Sequence, residues 1–186
     1  MRSEMSNPAL IIVDMQRGMG NPSSGRRNNP EAEANIVSLL AAWRAMGAPV
    51  VHIRHISRTP GSPFWPGQVG AEFQPPLAPV AGEHIVEKNV ADAFINTGLE
   101  RWLRVSGIER LVIVGVSTNI SVESTVRTAG SLGFAVTVVS DATFAFERPD
   151  SNGVVRTAEE VHAMSLANLS GEFASLANTS RVLGAL

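Results

Sequence analysis

Short apolar runs, separated by segments with helical spacing, recur along this chain of 186 residues. Ala9–Val13 and Leu111–Val114 contain no polar residue, which is typical of strands that are buried on both faces. Such strands need helices on both sides, and the alternation of strands with helices favours a parallel sheet. We therefore predict a mostly parallel α/β fold and place the whole chain, residues 1–186, in a single domain.

Turn and capping signals set the boundaries of the predicted elements. The six predicted strands are residues 9–13, 50–55, 85–87, 111–114, 135–139 and about 174–177. Predicted helix starts are Asn29-Pro30-Glu31, where a capping side chain precedes a proline, and the capping-box patterns that begin at Thr97 and Thr157. Residues 57–83 hold six of the eleven prolines, so we expect a long loop beside the functional site.

Composition excludes several classes of protein. The net charge is −2 and the arginines are scattered, so we expect no nucleic-acid partner. No run of about eighteen apolar residues is present, and the first residues lack the apolar core of a signal peptide, so we expect a cytoplasmic protein without a membrane span. The chain has no cysteine, which excludes disulfide bonds and thiolate chemistry.

Three chemically distinct side chains follow predicted strands. Asp14 comes directly after the first strand, Lys88 (the only lysine) directly after the third, and Ser121 lies in the turn between the fourth strand and the next helix. Because the carboxyl ends of parallel strands meet at one edge of a sheet, an acid, a cation and a hydroxyl there indicate an active site. Ordinary structural interpretations are also open: Asp14 and Ser121 as turn or helix caps, and Lys88 as a surface lysine.

No familiar serine-hydrolase motif surrounds Ser121. Ile120 and Val122 flank it, so the Gly-x-Ser-x-Gly elbow is absent. None of the four histidines is a compelling base for a triad. His52 and His55 lie in one predicted strand, where their spacing points the two rings to opposite faces rather than to a shared metal.

The chain resembles the isochorismatase-like hydrolase superfamily over nearly its whole length. The pieces that carry the resemblance are, in order, Ile-Ile-Val-Asp14-Met-Gln, Ser62-Pro-Phe-Trp-Pro-Gly, Val86-Glu-Lys88 followed by Ala93-Phe94, Thr97-Gly-Leu-Glu, Gly115-Val-Ser-Thr-Asn-Ile-Ser-Val-Glu-Ser-Thr-Val-Arg, and Ser140-Asp-Ala. The resemblance implies a three-layer α/β/α sandwich around a mostly parallel, Rossmann-like sheet of about six strands. It also implies assembly as a homodimer or homotetramer.

The resemblance implies a chemistry as well. Most members carry an Asp-Lys-Cys triad that hydrolyses C–N bonds of small amides or ureides; the Asp matches Asp14, the Lys matches Lys88, and the cysteine falls on Ser121. The peptide before Ser117 is commonly cis in the family, and the backbone N–H groups of Ser117 and Ser121 would form the oxyanion hole. Because a hydroxyl needs a base to remove its proton, Asp14 would have to act as that base, and hydrolysis would be slow.

Serine in place of cysteine leaves three explanations open: a natural serine-bearing subgroup, an engineered Cys→Ser change that traps a ligand, or a lapsed hydrolase that only binds. A second chemistry is also open, because members that cleave the vinyl ether of isochorismate lack the cysteine and use the Asp as a general acid. Those members typically have Tyr-Ala-His where this chain has Ser117-Thr118-Asn119, which favours amide cleavage here.

The predicted ligand is a small molecule, bound without a cofactor. Nicotinamidases of this superfamily bind a zinc-type metal through an Asp-x-His and a second His after the second strand; here only His55 is present, so we expect no metal. Phe94 and, from the long loop, Phe64 and Trp65 are expected in the pocket wall, with Trp65 equally assignable to a dimer interface. Asn119 is expected to hydrogen-bond a substrate amide or to cap the helix.

Overall fold

The computed structural model describes residues 7–21 and 24–186. Residues 1–6, on which the expectation of no signal peptide partly rests, lie outside the described residues. In chain order the strands are β1 (Ala9–Val13), β2 (Val50–His55), β3 (His84–Lys88), β4 (Arg110–Val116), β5 (Ala135–Phe144), β6 (Arg148–Pro149), β7 (Val155–Arg156) and β8 (Ser175–Ala177). The helices are α1 (Ala32–Ala45), α2 (Leu99–Val105), α3 (Glu123–Ser131), α4 (Ala158–Leu169) and α5 (Thr179–Leu183). None of these helices is both long and apolar enough to span a membrane.

Six of the strands form one sheet in the order β3-β2-β1-β4-β5-β8, and every neighbouring pair in it is parallel. The predicted parallel sheet is therefore confirmed. The chain runs outward from β1 to β3 and then returns to β4 on the other side of β1. This reversal opens a crevice at the carboxyl ends of β1 and β4, which is where open α/β sheets bind ligands. The antiparallel hairpin of β6 and β7 was not predicted.

Helices cover both faces of the sheet, because the side chains of a central strand alternate between them. In β1, Ala9, Ile11 and Val13 pack on the side of α2, α3 and α4. Leu10 and Ile12 pack on the side of α1 and α5. The apolar run in the sequence is thus a strand of the middle layer, and the α/β/α sandwich is confirmed.

The three predicted helix starts have different outcomes. Thr157 forms its capping box: the hydroxyl accepts from Glu160 N, and the Glu160 carboxylate accepts from Thr157 N. Asn29 does not cap α1, because its backbone is left-handed, with φ at 46°, and its amide donates to two carbonyls of β5 instead. At Thr97 the predicted helix is present, because α2 begins at Leu99, but the capping box is wrong: the N-cap residue is Gly98, and the Thr97 hydroxyl accepts from Leu99 N.

A glycine lets β1 and β4 approach each other at the crevice. Gly115 has φ at 117°, and a Cβ there would lie 2.1 Å from Val13 O. The register of β4 against β5 also shifts between Ile113 and Gly115. Only glycine fits this position, so β4 can bend at its carboxyl end and lead the chain into the turn that carries Ser121.

Candidate active site

The chain leaves β4 through a wide turn, Thr118–Val122, which we call the serine turn. The Val116–Ser117 peptide just before it is cis, as the resemblance implies. Two backbone N–H groups of the turn donate to Ser117 O, both at 3.1 Å. The turn has π-helical geometry, which is rare in proteins and frequent at functional sites. Because α3 follows directly, Ser121 lies at the N-terminal end of that helix.

Lys88 connects the other two predicted catalytic residues, Asp14 and Ser121. From the end of β3 its Nζ donates to Asp14 Oδ2 at 2.7 Å, to Val90 O at 3.2 Å and to Ser121 Oγ at 3.3 Å. These bonds use all three hydrogens of the ammonium group. Asp14, Lys88 and Ser121 are 1%, 1% and 9% exposed. The structure therefore brings the acid, the cation and the hydroxyl into one buried cluster.

Asp14 is anchored on one side and open on the other. Its backbone is left-handed, with φ at 52°, a conformation that Asp tolerates better than most residues. Oδ2 accepts from Lys88, whereas Oδ1 is buried and has no hydrogen-bond partner among the described residues. Burial raises the pKa of the Asp14 carboxyl, and the Lys88 ammonium opposes this rise. One held and one unengaged oxygen suit a group that exchanges a proton.

His55 lies beside this cluster, although sequence reasoning gave it no role there. Burial and the nearby Lys88 ammonium lower the pKa of the imidazole, and the Asp14 carboxylate opposes them, so the ring is neutral at neutral pH. Gln16 fixes the backbone of His55, accepting from its N at 2.7 Å and donating to its O at 2.9 Å. The signal in the sequence was the position of His55 at the end of β2, which is the neighbour of β1.

The four predicted substrate-binding residues have different neighbours in the structure. The centroid of the Phe64 ring lies 6.1 Å from that of the His55 imidazole, which lies beside the cluster. Phe94 packs against the core on the side of α2, α3 and α4, with its ring centroid 6.1 Å from that of Phe134. Asn119 lines a cavity of about 770 Å³ along α4. Trp65 is half-buried in the loop. Substrate contact by these residues stays a prediction.

Residues 7–21 and 24–186 contain no group of three or more acidic or histidine side chains arranged to hold a metal ion. His52 and His55 have different partners: His52 Nε2 lies 2.8 Å from Glu83 Oε2, whereas the ring of His55 contacts Phe64. The two rings therefore do not share a site. Three expectations stay predictions: the protein binds no metal, it has no nucleic-acid partner, and it forms a homodimer or homotetramer.

Known proteins share this fold. The isochorismatase domain matches residues 8–181. The uncharacterized isochorismatase family protein YrdC of Bacillus subtilis is 39% identical over 175 residues, 94% of each chain. Ureidoacrylate amidohydrolase RutB of Variovorax paradoxus is 31% identical over 173 residues, 74% of this chain and 69% of that protein. A crystal structure from Chromobacterium violaceum, described as a hydrolase of the isochorismatase family, has a TM-score of 0.95 and 48% identity, covering 100% of this chain and 96% of that one. The chain belongs to the isochorismatase family of hydrolases.

Removing the cation from the buried pair should destabilise the protein strongly. In Lys88→Met the Asp14 carboxylate loses its ammonium partner, and we expect the free energy of unfolding to fall by about 3–5 kcal/mol. Adding Asp14→Asn, which suits the left-handed backbone and removes the unpaired charge, should recover part of that loss. Urea denaturation of the single and double variants measures both effects.

The matched control is Arg17→Met, because the Arg17–Glu72 pair is exposed, with side chains 47% and 60% accessible. Its loss should cost at most about 1 kcal/mol. If Lys88→Met cost no more than this control, the buried pair would not have the energetic weight assigned to it here.

Proposed function

We propose that this hydrolase cleaves the C–N bond of a small amide or ureide, with Ser121 as nucleophile and Asp14 as general base. The observation that carries the proposal is the position of Lys88, whose ammonium group makes buried hydrogen bonds to both residues. The amidohydrolase name of a relative from Variovorax paradoxus supports a C–N bond as the target.

The proposed reaction is an acyl transfer in two steps. Ser121 Oγ attacks the carbonyl carbon of the substrate while its proton passes to Asp14, which gives a tetrahedral intermediate. The proton then moves to the leaving nitrogen, the C–N bond breaks, and ammonia or an amine departs from an ester on Ser121. A water molecule that gives its proton to Asp14 hydrolyses this ester, and the proton returns to Ser121 Oγ as the acid product leaves.

Two features would stabilise the negative charge that develops on Ser121 Oγ and on the carbonyl oxygen of the substrate. The Lys88 ammonium, 3.3 Å from Ser121 Oγ, stabilises negative charge that develops on that oxygen. We assign the oxyanion hole to the backbone N–H groups of Ser117 and Ser121, which belong to the segment that links β4 to α3. Fixed donors of this kind are commonly the largest single contribution to acyl transfer.

A serine makes this chemistry slower than a cysteine would. A hydroxyl is far less acidic than a thiol, so it stays protonated in the same surroundings and needs a base during the attack. The raised pKa of Asp14 makes it a stronger base than an exposed carboxylate, which offsets part of this difference. Of the three explanations for Ser121, we propose the first, a natural serine-bearing subgroup.

The alternative of a protein that only binds is less consistent with the buried ion pair. Asp14 and Lys88 are in contact at 2.7 Å, and both are almost completely buried. Removing two charges from water costs free energy that the mutual attraction repays only with good geometry. Because joint replacement of both charges by apolar side chains is often neutral or stabilising, a protein without catalytic function gains little from such a pair.

One observation favours a second candidate, the hydrolysis of a vinyl ether with Asp14 as general acid. Asp14 Oδ1 is buried without a hydrogen-bond partner among the described residues, and burial raises the pKa of the carboxyl. Such a carboxyl holds its proton to a higher pH and can donate it to a carbon atom. This reaction needs no nucleophile at Ser121, so it predicts an alanine variant with unchanged activity.

Ammonia release from a panel of small amides and ureides tests the role of Ser121. We expect turnover of at least one compound, faster turnover in Ser121→Cys, and a loss of at least about a thousandfold in Ser121→Ala, because the nucleophile is removed. Ser131→Ala, at an exposed serine in the last turn of α3, is the matched control. Activity in Ser121→Cys alone would identify an engineered Cys→Ser trap for a ligand or a lapsed hydrolase. Undiminished activity in Ser121→Ala would exclude Ser121 as the nucleophile.

The pH dependence of kcat/KM tests the role of Asp14. As a base it must be ionised, and burial raises its pKa above the ordinary value of 3.8. Activity should therefore fall as the pH is lowered, with the midpoint of the acid limb above 3.8. Rates between about pH 4 and pH 8, with circular dichroism to confirm folded protein, locate the limb. A rate that rises as the pH is lowered would instead identify Asp14 as the acid of the second candidate reaction.

A further inference from the structure

Polar side chains of α4 hold the serine turn by hydrogen bonds. Thr118 Oγ1 lies 2.8 Å from His162 Nδ1, and Ser165 Oγ lies 3.0 Å from Thr118 O; both contacts are buried. Ser165 Oγ also lies 2.6 Å from Glu123 Oε2, at the first residue of α3. Helix α4 therefore contacts the chain both before and after Ser121.

We propose that Thr118 and His162 are positioning residues for Ser121. Their side chains hydrogen-bond to each other, and this bond would fix the serine turn so that the Ser121 hydroxyl stays within reach of Lys88. The proposal rests on the hydrolase function argued above. It assigns a role to a histidine that lies 44 residues from its partner and belongs to no recognisable motif.

The His162 ring is neutral at this contact, because burial lowers the pKa of the imidazole. A neutral imidazole has one nitrogen that donates and one that accepts, and the Thr118 hydroxyl can do either, so the tautomer determines which of the two atoms donates. In both tautomers one hydrogen bond joins the serine turn to α4.

The serine turn needs support of this kind. Turns of π-helical geometry are rare and short, because their hydrogen bonds and packing are less favourable than those of an α-helix. Thr118 is 0% exposed, and a buried hydroxyl without a partner would destabilise the turn it belongs to. A small displacement matters at this place, since about 1 Å of misalignment can reduce a rate about a hundredfold.

Kinetics of matched threonine variants give the first test. Thr118→Val removes the hydroxyl and keeps the shape, so we expect kcat to fall about 10- to 100-fold while KM changes little. Thr118→Ser keeps the hydroxyl and should stay close to the parent. Thr179→Val is the control: this buried threonine in α5 donates to Asp141, so its loss should lower Tm and leave kcat unchanged.

Variants at His162 test the same hydrogen bond from its other end. His162→Leu removes the ring nitrogen of this hydrogen bond and should lower kcat as much as Thr118→Val does. His162→Asn places an amide group, which can donate or accept, near the position of Nδ1 and should restore part of the rate. Because one bond is involved, combining His162→Leu with Thr118→Val should cost no more than the larger single effect. Additive losses would contradict a shared positioning role.

A thiol introduced at position 121 gives a readout that needs no substrate. The chain has no cysteine, so Ser121→Cys carries a single thiol, whose alkylation by iodoacetamide at different pH values reports its pKa. Beside Lys88 this pKa should lie below the ordinary value of about 8.5. Adding Thr118→Val should move it back toward that value and slow alkylation at neutral pH several-fold, whereas adding Thr179→Val should not.

The two readouts separate this inference from the proposed function. Unchanged alkylation and unchanged kcat in Thr118→Val, with only a lower Tm, would show a structural contact and overturn the positioning role. An altered thiol pKa together with no turnover of any amide would support the positioning role and contradict the proposed reaction.

Discussion

The buried contact between Asp14 and Lys88 is the interaction on which the rest of the site depends. Two charges removed from water are tolerated only while they remain together, because loss of either leaves the other uncompensated. The two residues come from the ends of β1 and β3, with β2 between these strands in the sheet. Their contact at 2.7 Å therefore requires the register of three neighbouring strands, so fold and site depend on each other.

The third member of the cluster arrives from the opposite direction. β4 lies on the other side of β1, and the chain passes from it through the serine turn into α3. Lys88 spans this gap with one long side chain, holding the Asp14 carboxylate and the Ser121 hydroxyl from a single ammonium group. A guanidinium at this position would be larger and planar, whereas the ammonium of the one lysine in the chain carries its three donors on a single atom.

Local patterns in the sequence were sufficient to predict the layers of the fold and the strand ends that meet at the site. Apolar runs such as Ala9–Val13 report burial on both faces directly, and Thr157 carries its capping partner three residues away. Asn29 could not be interpreted in this way, because its amide binds carbonyls 111 and 114 residues further along the chain. Contacts of this range depend on the packed fold and leave no periodic signal.

The same limit explains what was missed near the site. His55 is distinguished only by its place at the end of β2, and His162 looks like an ordinary helical residue until α4 is packed against the serine turn. Asn119 lines a cavity along α4, and its expected contact with the substrate stays a prediction.

Acylation of Ser121 is the step to measure first, by intact-protein mass spectrometry after acid quenching. The probe is the activated aryl ester of an acyl group whose amide the protein hydrolyses; it acylates fast, so the acyl form should accumulate. We expect a mass increase equal to the acyl group, located on the peptide that contains Ser121 and absent from Ser121→Ala. Equal rates of ester hydrolysis by the parent protein and Ser121→Ala, with no adduct on that peptide, would contradict acylation of Ser121.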